Sequence, residues 1–219
     1  MSEVNLLQAL PKAKRNIQAR QVNKSQAVIQ TAKQYGETYF DGPRDYGYGG
    51  YRYDGRWVPV AKDIIHHFNL KAGDKVLDIG CAKGFLVKDL QQTCPGLKVF
   101  GLDISEYALK HCEPEVAGYL HLGSAEQLPF PDDAFDCVIS INTLHNLPRT
   151  KVIQALQEIE RVGKQSKAFV QVDSYLTPEQ KMLFESWVLT AEFHDYPKGW
   201  LEVFKEAGYR GEYYWTIVE

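Results

Sequence analysis

Three carboxylates stand where they can do chemistry. Asp78 lies inside "KVLDIGCAKGFLV" (residues 75–87), where a short apolar run breaks into small residues, Gly80, Ala82 and Gly84, set between Cys81 and Lys83. Small residues let the backbone approach a ligand closely. The helix expected to follow offers free N–H groups to a carboxylate or phosphate. Asp78 adds negative charge beside that ligand, which suits a cation and repels a pyrophosphate. A nicotinamide fingerprint would want glycine at the positions of Gly80, Ala82 and Phe85, and Phe85 spoils it. Asp103 ends "LKVFGLDI", nineteen residues beyond Gly84, where a carboxylate can accept both hydroxyls of a ribose. Asp173 ends "AFVQVD" and can face an acceptor or simply cap the next turn.

Further polar groups fall at matching places. In "GSAEQLPFPDDAF", Ser124, the Ala125 amide and Glu126 can meet an adenine edge. In "NTLHNLP", Asn142 and His145 stand among apolar neighbours. His145 is the candidate general base, because imidazole works near neutral pH; its alternative is a structural core histidine. Nothing in the sequence places His194 at the same site, and His66 and His67 read as helix surface. The combined demand is a nucleoside with a positive centre and an amino-acid tail, which S-adenosylmethionine satisfies. Methyl transfer from a sulfonium mainly needs alignment of nucleophile, methyl and sulfur, so a missing catalytic triad does not argue against an enzyme.

The elements that would position these residues alternate. Short apolar strands are expected at "KVLDI", "LKVFGLDI", "GYLHLG", "FDCVISI" and "AFVQVD", with helices between them and an aromatic strand "GEYYWTIV" closing the chain. Thr150 is expected to cap the helix after strand four, and Thr177 the "TPEQ" helix. This pattern predicts an α/β fold: a three-layer sandwich with a doubly wound, mostly parallel sheet, and ligands at the carboxyl ends of the strands.

On these motifs the sequence resembles the class I, Rossmann-like S-adenosylmethionine-dependent methyltransferases, especially the small-molecule branch. "VLDIGCAKG" is similar to their glycine loop, "GLDIS" to their ribose-binding strand end, and "GSAEQLPFPDDAFDCVISINTLHNL" to their adenine loop and fourth strand. The resemblance implies S-adenosylmethionine as cofactor. It implies Asp78, Gly80 and Gly84 at the methionine portion, Asp103 at the ribose, and Ser124 and Ala125 at the adenine, with Cys81, Ala82, Ile104, Glu126 and Asn142 as further cofactor contacts. There are departures: Ala82 replaces the middle glycine, Ser124 replaces a frequent aspartate, and the closing hairpin has one clear strand. Residues 187–196 are the place for the other.

The extension divides as 1–56, a basic helical arm and a lid, before a cofactor domain over 57–219. Between Val4 and Gly36 there are six basic residues, Lys12, Lys14, Arg15, Arg20, Lys24 and Lys33, and no acidic one until Glu37. The segment beyond Pro11 is expected to be helix, with Val28, Ala32 and Tyr35 on one side. Residues 39–57 alternate glycine, tyrosine and arginine. Mobile glycines, flat tyrosine faces and arginine forks suggest a lid over a polar, even anionic, small molecule. Tyr46, Tyr48, Tyr51, Arg52 and Arg56 are the expected substrate contacts. The other reading is a wrap packed on the sheet edge.

A net charge of −3 gives no global field for nucleic acid, although the arm keeps an RNA methyltransferase as an alternative, beside a decarboxylase- or lyase-like enzyme on the same fold. No membrane span, secretory signal or metal site is expected. Four widely spaced cysteines point to a reducing cytoplasm. A homodimer stays open.

Overall fold

The computed structural model describes residues 1–11, 17–165 and 167–217. Six strands form one sheet: β1 (Lys75–Ile79), β2 (Lys98–Asp103), β3 (Leu120–Leu122), β4 (Cys137–Ile141), β5 (Ala168–Ser174) and β6 (Glu212–Ile217). Their order is β3-β2-β1-β4-β5-β6, and every neighbouring pair is parallel. The order reverses between β1 and β4. A crevice therefore opens at their carboxyl ends, where the next elements leave in opposite directions.

Strand alternation sorts the core into two faces. Leu77, Ile79 and Val138 point to one face, where they meet Val152, Leu156 and Ile159 of a helix α7 (Arg149–Val162) and Trp200, Val203 and Phe204 of another, α9 (Pro197–Ala207). Val76, Cys137 and Ile139 point to the other and meet Val60, Ala61 and Ile64 of α4 (Val58–His67) and Val87 and Leu90 of α5 (Phe85–Thr93). All five residues of β4 are buried, as a strand covered on both sides must be. The expected three-layer α/β sandwich is what the chain builds. The remaining helices are α1 (Ile17–Asn23), α2 (Gln26–Ala32), α3 (Glu37–Phe40), α6 (Glu106–Lys110) and α8 (Pro178–Trp187).

The structure corrects several local expectations. The sheet is wholly parallel rather than mostly so. Residues 188–196, after α8, are irregular and supply no second closing strand. Instead the first residues of the chain cover the open edge of β6: Val4 N donates to Tyr213 O at 2.9 Å, and Tyr213 N to Ser2 O at 3.1 Å. Covering an edge in this way satisfies its free backbone groups. Leu6 is buried in the same core cluster as Val60 and Val76. Helix α7 starts one residue before Thr150, directly after Pro148, so Thr150 is not its cap. Thr177 does cap α8, accepting from Gln180 N, but the Gln180 side chain reaches Leu176 N rather than the cap itself. The arm breaks into α1 and α2 at Ser25, whose hydroxyl accepts from Val28 N. Lys12, Lys14 and Arg15 lie outside the described residues.

At Gly80 the φ is +80°, and a Cβ would fall 1.9 Å from Thr143 Oγ1. At Gly73 the φ is +93°, but a Cβ would meet open space. Both alanine substitutions meet the left-handed penalty of about 1–2 kcal/mol. Urea denaturation should therefore show Gly80→Ala losing at least about 1 kcal/mol more stability than Gly73→Ala, the extra loss coming from overpacking. Equal losses would mean that Thr143 is not pressed against β1.

Candidate active site

The turn after β1 is held open by its backbone. Gly80, Ala82 and Gly84 have φ of +80°, +49° and +75°. Gly84 has no room for a side chain either: a Cβ would sit 2.9 Å from Val116. Ala82 adopts the left-handed conformation despite its methyl group, which most residues avoid. A single carboxylate secures this geometry. Asp103 Oδ2 accepts from Ala82 N at 2.7 Å, and Oδ1 from Ser105 N at 2.8 Å. Each carboxylate oxygen has a second lone pair, so Asp103 keeps acceptor capacity for ribose hydroxyls.

Asp78 is 4% exposed. Burial first, then the nearby Asp103, push its pKa up to about 7. Asp103 is raised too, by burial, against the lowering effect of its backbone N–H bonds. A pair of buried acids with such values is a site prepared for positive charge. Cys81 is buried beside them, and burial raises its thiol well above the usual value, so it is inert packing.

The third and fourth strand ends form the other wall. Ser124 and Ala125 begin a turn pinned by α7: Glu158 accepts from Leu128 N at 2.7 Å, and Arg161 donates to the carbonyls of Leu128 and Phe130. Ala125 is buried. Glu126 does not offer a free carboxylate, because Lys151 pairs with it. Ile104 is 60% exposed at the end of β2, an apolar side chain left open at the rim. Asn142 has φ +55°. Its N–H is held by the side-chain and backbone oxygens of the fully buried Gln171, at 2.8 and 3.2 Å.

His145 and Asp173 come together as a buried pair. His145 Nδ1 accepts from the Asp173 backbone N–H at 3.3 Å. The neutral ring therefore carries its proton on Nε2, which lies 4.0 Å from Asp173 Oδ2. Burial holds the His145 pKa below its usual value, with Asp173 opposing. The ring's free lone pair is thus already occupied. Asp173 Oδ1 is buried and meets no hydrogen-bond donor among the described residues. His194 sits against the hydroxyl of Tyr175 at 3.1 Å.

The glycine–tyrosine segment lies on the glycine loop. Phe40, Ala82 and Ala108 form a buried cluster with Tyr35, Tyr39, Tyr51 and Tyr107 around it. Tyr51 stacks on Phe85 at 4.7 Å and packs against Tyr48 at 4.4 Å. Tyr48 is 38% exposed, yet its hydroxyl end is enclosed, which raises its pKa. Tyr46 lies in a 3-10 turn, Arg44–Tyr46, and takes no part in this cluster. The arginines turn elsewhere. Arg44 donates to the carbonyls of Gly47 and Tyr48, Arg56 pairs with Asp54, and Arg52 is exposed.

The residues that fasten the segment were missed in the sequence. Asp41 accepts from Tyr51 N, from Lys83 Nζ at 2.6 Å and from Tyr107 OH at 2.8 Å. Tyr53 OH donates to Asp89 at 2.6 Å. The one available signal was Lys83, a cation in an otherwise small-residue loop.

The geometry is that of a class I, Rossmann-like methyltransferase. Residues 77–170 match the family model described as a methyltransferase domain. Over these residues, less than half of the chain, the sequence is thus similar to a methyltransferase domain, and S-adenosylmethionine is the cofactor that such a domain implies. Asp78 and Asp103, with the loop between them, are the groups that fit it. Over 127 residues the chain is 35% identical to the demethylmenaquinone methyltransferase of Symbiobacterium thermophilum, covering 53% of this chain and 49% of that protein. Over 112 residues it is 40% identical to the mitochondrial arginine-hydroxylase NDUFAF5 of Rattus norvegicus, covering 49% and 29%. The chain thus spans about half or less of the length of these curated relatives. The YcgJ protein of Bacillus subtilis has the same fold, with a TM-score of 0.54 and 21% identity over 67% of this chain and 66% of that one.

The raised Asp78 pKa gives a signed prediction. Below about pH 7 the free protein holds a proton there, and a cationic ligand must displace it. Calorimetric affinity for S-adenosylmethionine should tighten by about tenfold from pH 6 to pH 8, with proton release near pH 7. A flat profile would remove Asp78 from the ligand.

Proposed function

We propose that the chain is an S-adenosylmethionine-dependent methyltransferase acting on an oxygen or nitrogen of a small polar metabolite. The observation that carries this reading is the buried pair Asp78 and Asp103 beside the glycine loop, to which Asp103 is bonded through the Ala82 amide, a cradle for a cationic nucleoside. When bound, S-adenosylmethionine supplies an electrophilic methyl group. The chain's own residues do the rest. Asp103 holds the ribose, Asp78 faces the positive end, and Ser124, Ala125 and Asn142 bound the adenine side. Ile104 would be covered by the base. The tyrosines of residues 35–53 close the crevice against water. His145 acts by orienting Asp173 rather than as a base, because its Nδ1 lone pair is engaged.

The relatives favour small acceptors: their printed names include the methylation of demethylmenaquinone and of a fatty acid. A second reading has one specific support. The 40% identical relative is named as an arginine hydroxylase, so a different reaction on this fold stays in play. The RNA reading finds no such support. Arg20 and Lys24 donate to carbonyls of this chain and Lys33 pairs with Glu192, so the described part of the arm is held against the protein. Among the described residues no helix is long and apolar enough to cross a membrane. Placement in a reducing cytoplasm is our reading of the four free cysteines.

The test is incubation with methyl-labelled S-adenosylmethionine and a small-molecule extract, read by mass spectrometry. Label should appear in an O- or N-methyl product with S-adenosylhomocysteine formed one for one. An oxygenated product without S-adenosylhomocysteine would favour the second reading. The lid is tested separately. Asp41→Ala should lower kcat/KM by at least about tenfold through loss of closure, while S-adenosylhomocysteine affinity changes less. Unchanged turnover would mean that the segment is only a wrap.

A further inference from the structure

We propose that the acceptor is a proton donor carrying no negative charge at its bound end, a hydroxyl or an amine, held by Asp173 Oδ1 beneath the tyrosine lid. Carboxylates and phosphates are excluded from that position, which would separate this chain from the relative named as a fatty-acid O-methyltransferase. The inference rests on the methyltransferase reading and names the substrate class for the same site.

Asp173 is 5% exposed and stands at the carboxyl end of β5, beside the strand-order reversal. Burying a carboxylate oxygen without a donor is costly unless a ligand supplies one. The protein does not supply it. His145 is the nearest candidate, but its Nε2 is 4.0 Å from Oδ2, and Oδ1 meets nothing.

The wall above Asp173 is continuous with the lid. His145 O accepts from the N–H groups of Glu192 and Phe193. Thr190, two residues earlier, bonds the phenols of Tyr35 and Tyr39. The segment bonded to His145 is thereby tied to the tyrosine cluster, and the Glu192 within it pairs with Lys33. The cations that an anionic acceptor would need are engaged elsewhere. Lys83 is held by Asp41, Arg44 by backbone carbonyls and Arg56 by Asp54, and Arg52 faces solvent. With Asp78 and Asp103 also present, a second negative charge would be repelled.

The chemistry balances. The acceptor's lone pair forms a bond to the methyl carbon while the carbon–sulfur bond breaks, its electrons going to sulfur to leave a neutral thioether. A hydroxyl passes its proton to the Asp173 carboxylate as the bond forms, whereas an amine attacks as the neutral base and then loses an N–H proton to the same carboxylate, which releases it to solvent as product leaves.

The test uses the full chain and its Asp173→Asn variant, each saturated with S-adenosylhomocysteine whose affinity is first measured by calorimetry. A fragment library divided into amines, alcohols and carboxylates is screened by ligand-detected NMR. Amines and alcohols should dominate the hits on the native chain and disappear from Asp173→Asn, with cofactor affinity changed less than about twofold. In addition the ligand-free variant should melt at the same temperature or up to about 2–4 °C higher, because an unpartnered buried charge has gone. A majority of carboxylate hits, amine hits that survive in the variant, no hits at all, or a lower melting temperature would each overturn the proposal. Failure of S-adenosylhomocysteine to bind the native chain would instead overturn the cofactor reading.

Discussion

The structure depends on one carboxylate at the junction of two strands. Asp103 ends β2 and reaches across to the amide of Ala82, in the turn that follows β1, while its other oxygen fixes Ser105 at the start of α6. Without that bridge nothing would oblige Ala82 to hold a left-handed conformation. The loop could relax and its amides would turn away from the crevice. A charge-assisted bond of this kind contributes roughly 1.5–3 kcal/mol, enough to offset the strain of one αL residue. Burial raises the pKa of Asp78 and the same carboxylate adds to it, so the geometry of the loop and the charge preference of the site are linked through Asp103.

The seat of the N-terminal segment follows from the loop. Ala82 presents its methyl to Phe40, and Phe85, at the start of α5, presents its ring to Tyr51. Lys83 between them meets Asp41. Three features of the glycine motif thus receive the N-terminal segment, which explains why a loop of tyrosine and glycine settles on that motif rather than along the sheet edge. The edge is covered by residues 2–4 instead.

Much of this was legible in the sequence. Short apolar runs alternating with helical stretches, and the acidic residues at strand ends, located the crevice, because continuous apolar burial and charge at a strand end are local signals. His145 and Asp173 were both singled out, and β4 and β5 bring them together. What could not be read was pairing at long sequence separation. Glu126 looks free until α7 brings Lys151 to it, and the arginines of residues 44–56 look like anion forks until Asp54 and the lid's own carbonyls take them. The closing strand itself was legible, but its parallel pairing and the cover of its edge were hidden for the same reason. Whether residues 187–196 form a hairpin partner depends on who covers β6, and the answer lies at the far end of the chain.

The most direct measurement is a crystal structure with S-adenosylhomocysteine bound. The account predicts ribose hydroxyls within about 3 Å of Asp103 with the bond to Ala82 N retained, and the ammonium group toward Asp78. A nucleoside bound away from the β1–β2 junction, or an Asp103 that turns from Ala82 without touching the sugar, would contradict it.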